Sequence, residues 1–106
     1  MTTTSIWGID YAEGFERFTI TVAHQLSLAL WLEEGLHPGG IFTHVFTGDL
    51  IGLMLMADRS EHAAVRSVVR FLAKYAPIGS WGTEGHVKIW PKLVEQRRAS
   101  LAVDLS

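Results

Sequence analysis

The sequence predicts a mainly α fold: a small single domain of about five helices over residues 23–106, preceded by an extended or β arm over residues 1–22. Three observations carry that reading. Apolar residues recur at helical spacing, most cleanly at Val65, Val68, Val69, Leu72 and Tyr75. Helix stops and starts punctuate the chain at Gly35, Pro38, Asp49, Asp58 and Pro77. An apolar fraction of 48% in 106 residues, with no cysteine, supplies a core that needs no disulfide scaffold.

In chain order, Trp7, Ile9 and Tyr11 alternate with Gly8 and Asp10, and Phe18, Ile20 and Val22 alternate with Thr19 and Thr21. This period of two argues for extended structure with a hairpin turn at Ala12-Glu13-Gly14, or for an arm that clasps a neighbour. From Ala23 the pattern turns helical through Leu26, Ala29, Leu30, Trp31 and Leu32, and Gly35 stops it before Pro38. Gly39-Gly40 opens a second helix over 39–47, with Ile41, Phe42, Val45 and Phe46 as its buried stripe. Asp49 is placed to cap a third helix, 50–57, by accepting from the free amides of its first turn. That segment is apolar on every face, the mark of a central core element or a subunit interface.

Asp58 followed by Glu61 reads as a capping-box-like start for a fourth helix over 60–76, which Pro77 ends. Thr83-Glu84 caps a fifth over 83–90; Pro91 then breaks or restarts the helix, leaving 92–101 as a polar helical tail.

Composition narrows the function. Without cysteine there is no thiolate metal site and no thiol nucleophile. Met1-Thr2-Thr3-Thr4-Ser5 lacks the basic-then-apolar pattern of a secretory signal, and no run approaches the ~20 apolar residues of a membrane span. A soluble cytoplasmic protein is expected, with no membrane partner. The net charge of −2 is unevenly spread: residues 1–61 carry two basic against eight acidic side chains (−6), and residues 62–103 carry seven against two (+5). Such halves can balance within the fold, pair between copies, or leave a basic face free for an anion.

No two of His24, His37, His44, His62 and His86 stand four apart, so no helix face holds a metal with a histidine pair, although His44 with Asp49 can meet in the fold. No metal or other cofactor is expected. There is no Gly-x-Ser-x-Gly elbow, and Glu33-Glu34 point in different directions on a helix, so no catalytic residues are assigned. Gly39 and Gly40 can offer bare amides to an anion at a helix start, or simply allow a tight entry and close helix packing. The best charged constellation is Arg66, Arg70 and Lys74, four apart on one helix face, with His62 at its head and Trp81 in the adjoining loop. It is either a solvated face or a ligand-binding ridge on which cations hold phosphates and Trp81 stacks on a ring. The overall negative charge suits a small nucleotide better than broad duplex DNA. Of four tryptophans, Trp31 reads as core; Trp7, Trp81 and Trp90 lie near element ends, where tryptophans fill cores, form interfaces or serve as platforms.

Ile20-Thr21-Val22, Leu32-Glu33-Glu34-Gly35, Pro38-Gly39-Gly40, Gly48-Asp49-Leu50, Ala57-Asp58, Pro77 and Trp81-Gly82 together resemble a family of small, functionally uncharacterised phage-encoded proteins with Pro-Gly-Gly, Asp-Leu and Ala-Asp punctuation. The likeness spans roughly residues 20–90 and rests on caps, stops and tight packing rather than a reactive signature. The family often has Asn where this chain has Gly48. The resemblance implies a phage accessory factor acting in the cytoplasm of an infected bacterium, a context that includes inhibitors of host defence and sponges for nucleotide signals; it carries over no catalytic residue.

The expected function is therefore non-enzymatic binding of a host protein or a small anionic signalling ligand. The alternative is a small enzyme acting on a nucleotide or nucleic acid. The apolar 50–57 segment, the Trp7 arm and the opposite-sign halves together predict a homo-oligomer.

Overall fold

The computed structural model describes residues 5–58 and 61–105. Among them the chain is mainly helical, with six helices and no strand: α1 (Tyr11–Arg17), α2 (Val22–Ala29, continued by a π-helical turn over Leu30–Glu34), α3 (Ile41–Thr47), α4 (Leu50–Met56), α5 (His62–Tyr75) and α6 (Glu84–Leu105). The predicted start of the fourth helix at residue 60 and the first four residues of the predicted arm lie outside the described residues.

The extended reading of 5–22 gives way to a helix at its centre. Asp10 caps α1 by accepting the Glu13 amide at 3.1 Å. Tyr11, Phe15 and Phe18 then recur at i, i+4, i+7 on a face that packs against α5, with ring centroids of Phe15 and Phe71 5.1 Å apart. Tyr11 thus opens a helix in which Gly14 lies against Phe71, while Trp7, Ile9, Phe18 and Ile20 of the alternating runs stay outside it.

Trp31 stands at the centre of the core, 1% exposed. Its ring stacks on Phe46 with centroids 5.1 Å apart, and its indole N–H donates to the Ser80 carbonyl at 2.9 Å. Trp90, also 1% exposed, donates to the Trp31 carbonyl at 2.8 Å, and Trp7 packs on it at 4.9 Å. Trp90 is thus a core residue. On α5 the buried face comprises Val65, Val68, Phe71 and Leu72, while Val69 and Tyr75 are half-buried. Phe71 had no place in the expected stripe, which is rotated toward it by the α1 aromatics.

The second departure is at Pro91, which neither breaks nor restarts the helix: α6 runs through it for 22 residues. Trp90 and Val94 are buried on either side and hold the segment to the core. Pro91 lies against Gly35, where a Cβ would stand 2.9 Å from the proline Cα. Gly35 has φ +69° at the end of the π-helical turn, so it serves both as the left-handed stop and as the seat for Pro91.

Candidate functional site

Two shallow grooves flank α4. One, of about 280 Å³, is lined by Leu50, Leu53, Met54, Ala57, His62, Val65 and Arg66. The other, of about 160 Å³, is lined by His44, Val45, Gly48, Leu50, Leu53, Val69 and Trp81. They share Leu50 and Leu53, so α4 stands as a ridge between them. No residue of α4 is buried. Leu50, Ile51, Met54, Leu55 and Met56 are 68%, 76%, 58%, 84% and 52% exposed. The expectation of a core element or an interface is thereby narrowed, because α4 is not core within a single chain.

The α5 cations lie as the spacing predicts: Arg66, Arg70 and Lys74 are all exposed, and His62 heads the helix. Three other arginines are committed to the fold. Arg97 donates to the Ile6 carbonyl at 2.8 Å and sits over the Trp7 ring, Arg98 clamps the Glu33 carbonyl and the Glu34 carboxylate, and Arg17 covers Phe18. Among the described residues, Arg66, Arg70 and Lys74 enter no such pairing. Arg66 and His62 line the larger groove and Trp81 the smaller, whereas Arg70 and Lys74 line neither of these two. The predicted set is therefore divided around α4, with Arg66 and Trp81 in neighbouring grooves rather than over one pocket.

His44 and Asp49 do meet. The imidazole Nδ1–H donates to Asp49 Oδ2 at 3.0 Å, while Asp49 Oδ1 accepts the Gly52 amide at 2.9 Å as the predicted cap of α4. The Gly52 N–H chiefly, and then His44, hold the Asp49 carboxyl below its ordinary range. Gly52 is where the pair closes, since a Cβ there would meet both the His44 ring and the Asp49 carboxylate. With Nδ1 engaged, His44 keeps Nε2 as its acceptor in the neutral ring. No group of three or more metal-ligating side chains forms among the described residues.

Gly39 and Gly40 have φ +75° and +56°, which explains the glycines as the tight entry to α3. The expected close packing is absent: a Cβ at either position would meet nothing within 4 Å. The Gly39 amide is already donated to His37 Nδ1 at 2.9 Å. His37 lies edge-on to Trp31 and Phe46, and partial burial there lowers its pKa.

Sequence reasoning missed a polar hub on the π-helical turn. The Glu33 carboxylate accepts the Ser5 hydroxyl at 2.7 Å, the Ile6 amide at 2.8 Å and the Tyr11 hydroxyl at 2.6 Å. Burial first, then Glu33, push the Tyr11 phenol well above its ordinary range. Contacts spanning 22 to 28 residues leave no local spacing signal to find them by.

Comparison with models of known protein families, with curated proteins and with solved structures finds no match. Among the described residues no helix is long and apolar enough to cross a membrane.

Proposed function

We propose that this chain is a non-enzymatic phage accessory protein that binds an anionic host component, either an acidic face of a host-defence protein or a small signalling ligand such as a nucleotide, through the cationic stripe of α5. The observation that supports this reading is the uncommitted state of Arg66, Arg70 and Lys74, whereas Arg17, Arg97 and Arg98 are engaged with carbonyls, a carboxylate or rings of the fold. Two guanidinium groups four residues apart set planar forks side by side, a pattern suited to phosphate or carboxylate oxygens. The test is calorimetric titration of the purified protein with linear and cyclic nucleotides, followed by recovery of the ligand. Charge-assisted contacts of ~1.5–3 kcal/mol make Arg70→Ala weaken binding by about tenfold or more, with the ligand recovered intact. If Arg66→Ala and Arg70→Ala both leave binding unchanged, the stripe is a solvated face and the proposal fails.

One geometric feature favours a second reading, a small enzyme acting on a nucleotide or nucleic acid. His44 lines the Trp81 groove with its Nδ1 held by Asp49, the arrangement that orients Nε2 as a general base. Recovery of an altered nucleotide, abolished by His44→Gln, selects this reading over binding alone.

A further inference from the structure

We propose that the exposed face of α4 is a dimerisation surface, covered in solution by α4 of a second copy of this chain. This inference goes beyond the ligand reading and stands without it.

The occupant has to cover more than a groove. Ile51 and Leu55, the most exposed residues of the helix at 76% and 84%, line neither groove, while Leu50 and Met54 line the larger one. A small molecule filling about 280 Å³ beside α4 leaves Ile51 and Leu55 in water. A protein surface covers ridge and grooves together.

The area matches what a dimer needs. From their exposed fractions, the five large α4 side chains leave on the order of 600 Å² uncovered, most of the ~800 Å² that each partner gives to a standard interface. The accessible surface of the whole chain is 6974 Å², about 1,000 Å² above the ~5,900 Å² expected for a compact monomer of this mass. Part of that excess reflects the elongated 50 × 30 × 19 Å outline; the α4 face is a large apolar part of it.

Self-pairing is favoured because one patch carries both shapes that a two-fold interface requires. Ile51 and Leu55, four apart, form a knob; Leu50, Met54, Ala57 and Val65 form the recess beside it. A two-fold axis across α4 makes the paired helices antiparallel, bringing the Asp49 end of one copy toward the Ala57 end of the other. In that arrangement Asp49 of one copy approaches the end of the recess where Ala57 and the cationic Arg66 of the other stand.

The experiment is sedimentation equilibrium of the full chain at roughly 10 to 100 micromolar, above the micromolar-to-picomolar dissociation constants that standard-size interfaces span, with Ile51→Asp and Leu55→Asp alongside. The expected result is a mass twice the chain's 11.8 kDa for the native protein. In each variant a dissociation constant raised roughly a hundredfold is expected, with an unchanged helical circular dichroism spectrum, because neither residue is buried in the single chain. A native monomer across that range overturns the proposal, as does a dimer that both variants leave intact. Flotation of a monomeric native protein with vesicles of phosphatidylcholine and phosphatidylglycerol also overturns it, in favour of a lipid surface. Since Ile51→Asp and Leu55→Asp leave Arg66, Arg70 and Lys74 in place, loss of the dimer and loss of ligand binding are read separately.

Discussion

Asp49 and Tyr11 are two residues whose charge states are set by their neighbours, in opposite senses. Asp49 has its pKa lowered by the Gly52 amide and His44, so its contribution is present above the ordinary carboxylate value of 3.8 and is lost as pH falls through the lower folded value. The expected outcome below that point is fraying of α4, seen as faster amide exchange over Leu50–Met56 in acid; Asp49→Asn, which keeps a side-chain acceptor, removes the pH dependence. Tyr11 is the reverse. Its phenol is held neutral by burial first and then by Glu33, so its contribution is complete below the ordinary value of 10.0 and is lost as pH rises toward the folded value. An absorbance titration is expected to show Tyr11 ionising only as the chain unfolds in alkali. Glu33→Gln, which weakens three hydrogen bonds to the N-terminal segment, is expected to destabilise by roughly 1–3 kcal/mol in urea unfolding.

Element by element, the α2–α6 junction makes the clearest wager. Proline within a helix costs about 3 kcal/mol relative to alanine, and Pro91 sits seven residues into a helix of 22. Pro91→Ala is therefore expected to raise the melting temperature with no change in helix content. Gly35→Ala should do the opposite by more than about 1 kcal/mol, since a Cβ there faces both a φ of +69° and the Pro91 Cα. The caps at Asp49 and Thr83 were legible from sequence because a cap bonds within three residues; Thr83 Oγ1 accepts the His86 amide at 3.1 Å. The α1 helix carried the same kind of signal in Asp10, Tyr11, Phe15 and Phe18. There a short alternating run on each side masked the helical period, and only the Phe71 surface decides between them.

At the scale of the molecule, Trp31 and Trp90 tie α2, the Ser80 loop and α6 into one unit through two indole hydrogen bonds. Trp90→Ala is expected to cost about 3–5 kcal/mol, a large fraction of the total stability of a domain this size and a marked drop in melting temperature, whereas Trp81→Ala, at a half-buried groove wall, should cost far less. The described arginines divide along the same lines. Arg17, Arg97 and Arg98 are spent on carbonyls, carboxylates and rings, and the α5 cations face solvent. Their spacing was plain in the sequence. The placing of Arg66 and Trp81 in separate grooves flanking α4 was not, because it depends on how α3, α4 and α5 pack.

By itself the sequence determined what local physics determines: a mainly helical domain, the caps at Asp49 and Thr83, the stops at Gly35 and Pro77, and the face of α5 that carries its cations. Each depends on contacts within a turn or two, so each is written in residue spacing. Only the tertiary structure decided that residues 11–17 are helical, that Pro91 lies inside α6 and that Glu33 gathers the N-terminal segment. It also decided that the most apolar helix of the chain stays uncovered by its own fold. Those outcomes turn on surfaces supplied from far along the chain, such as Phe71 to Gly14, Gly35 to Pro91 and Glu33 to Ser5, and long-range packing leaves no period in the sequence from which to read it.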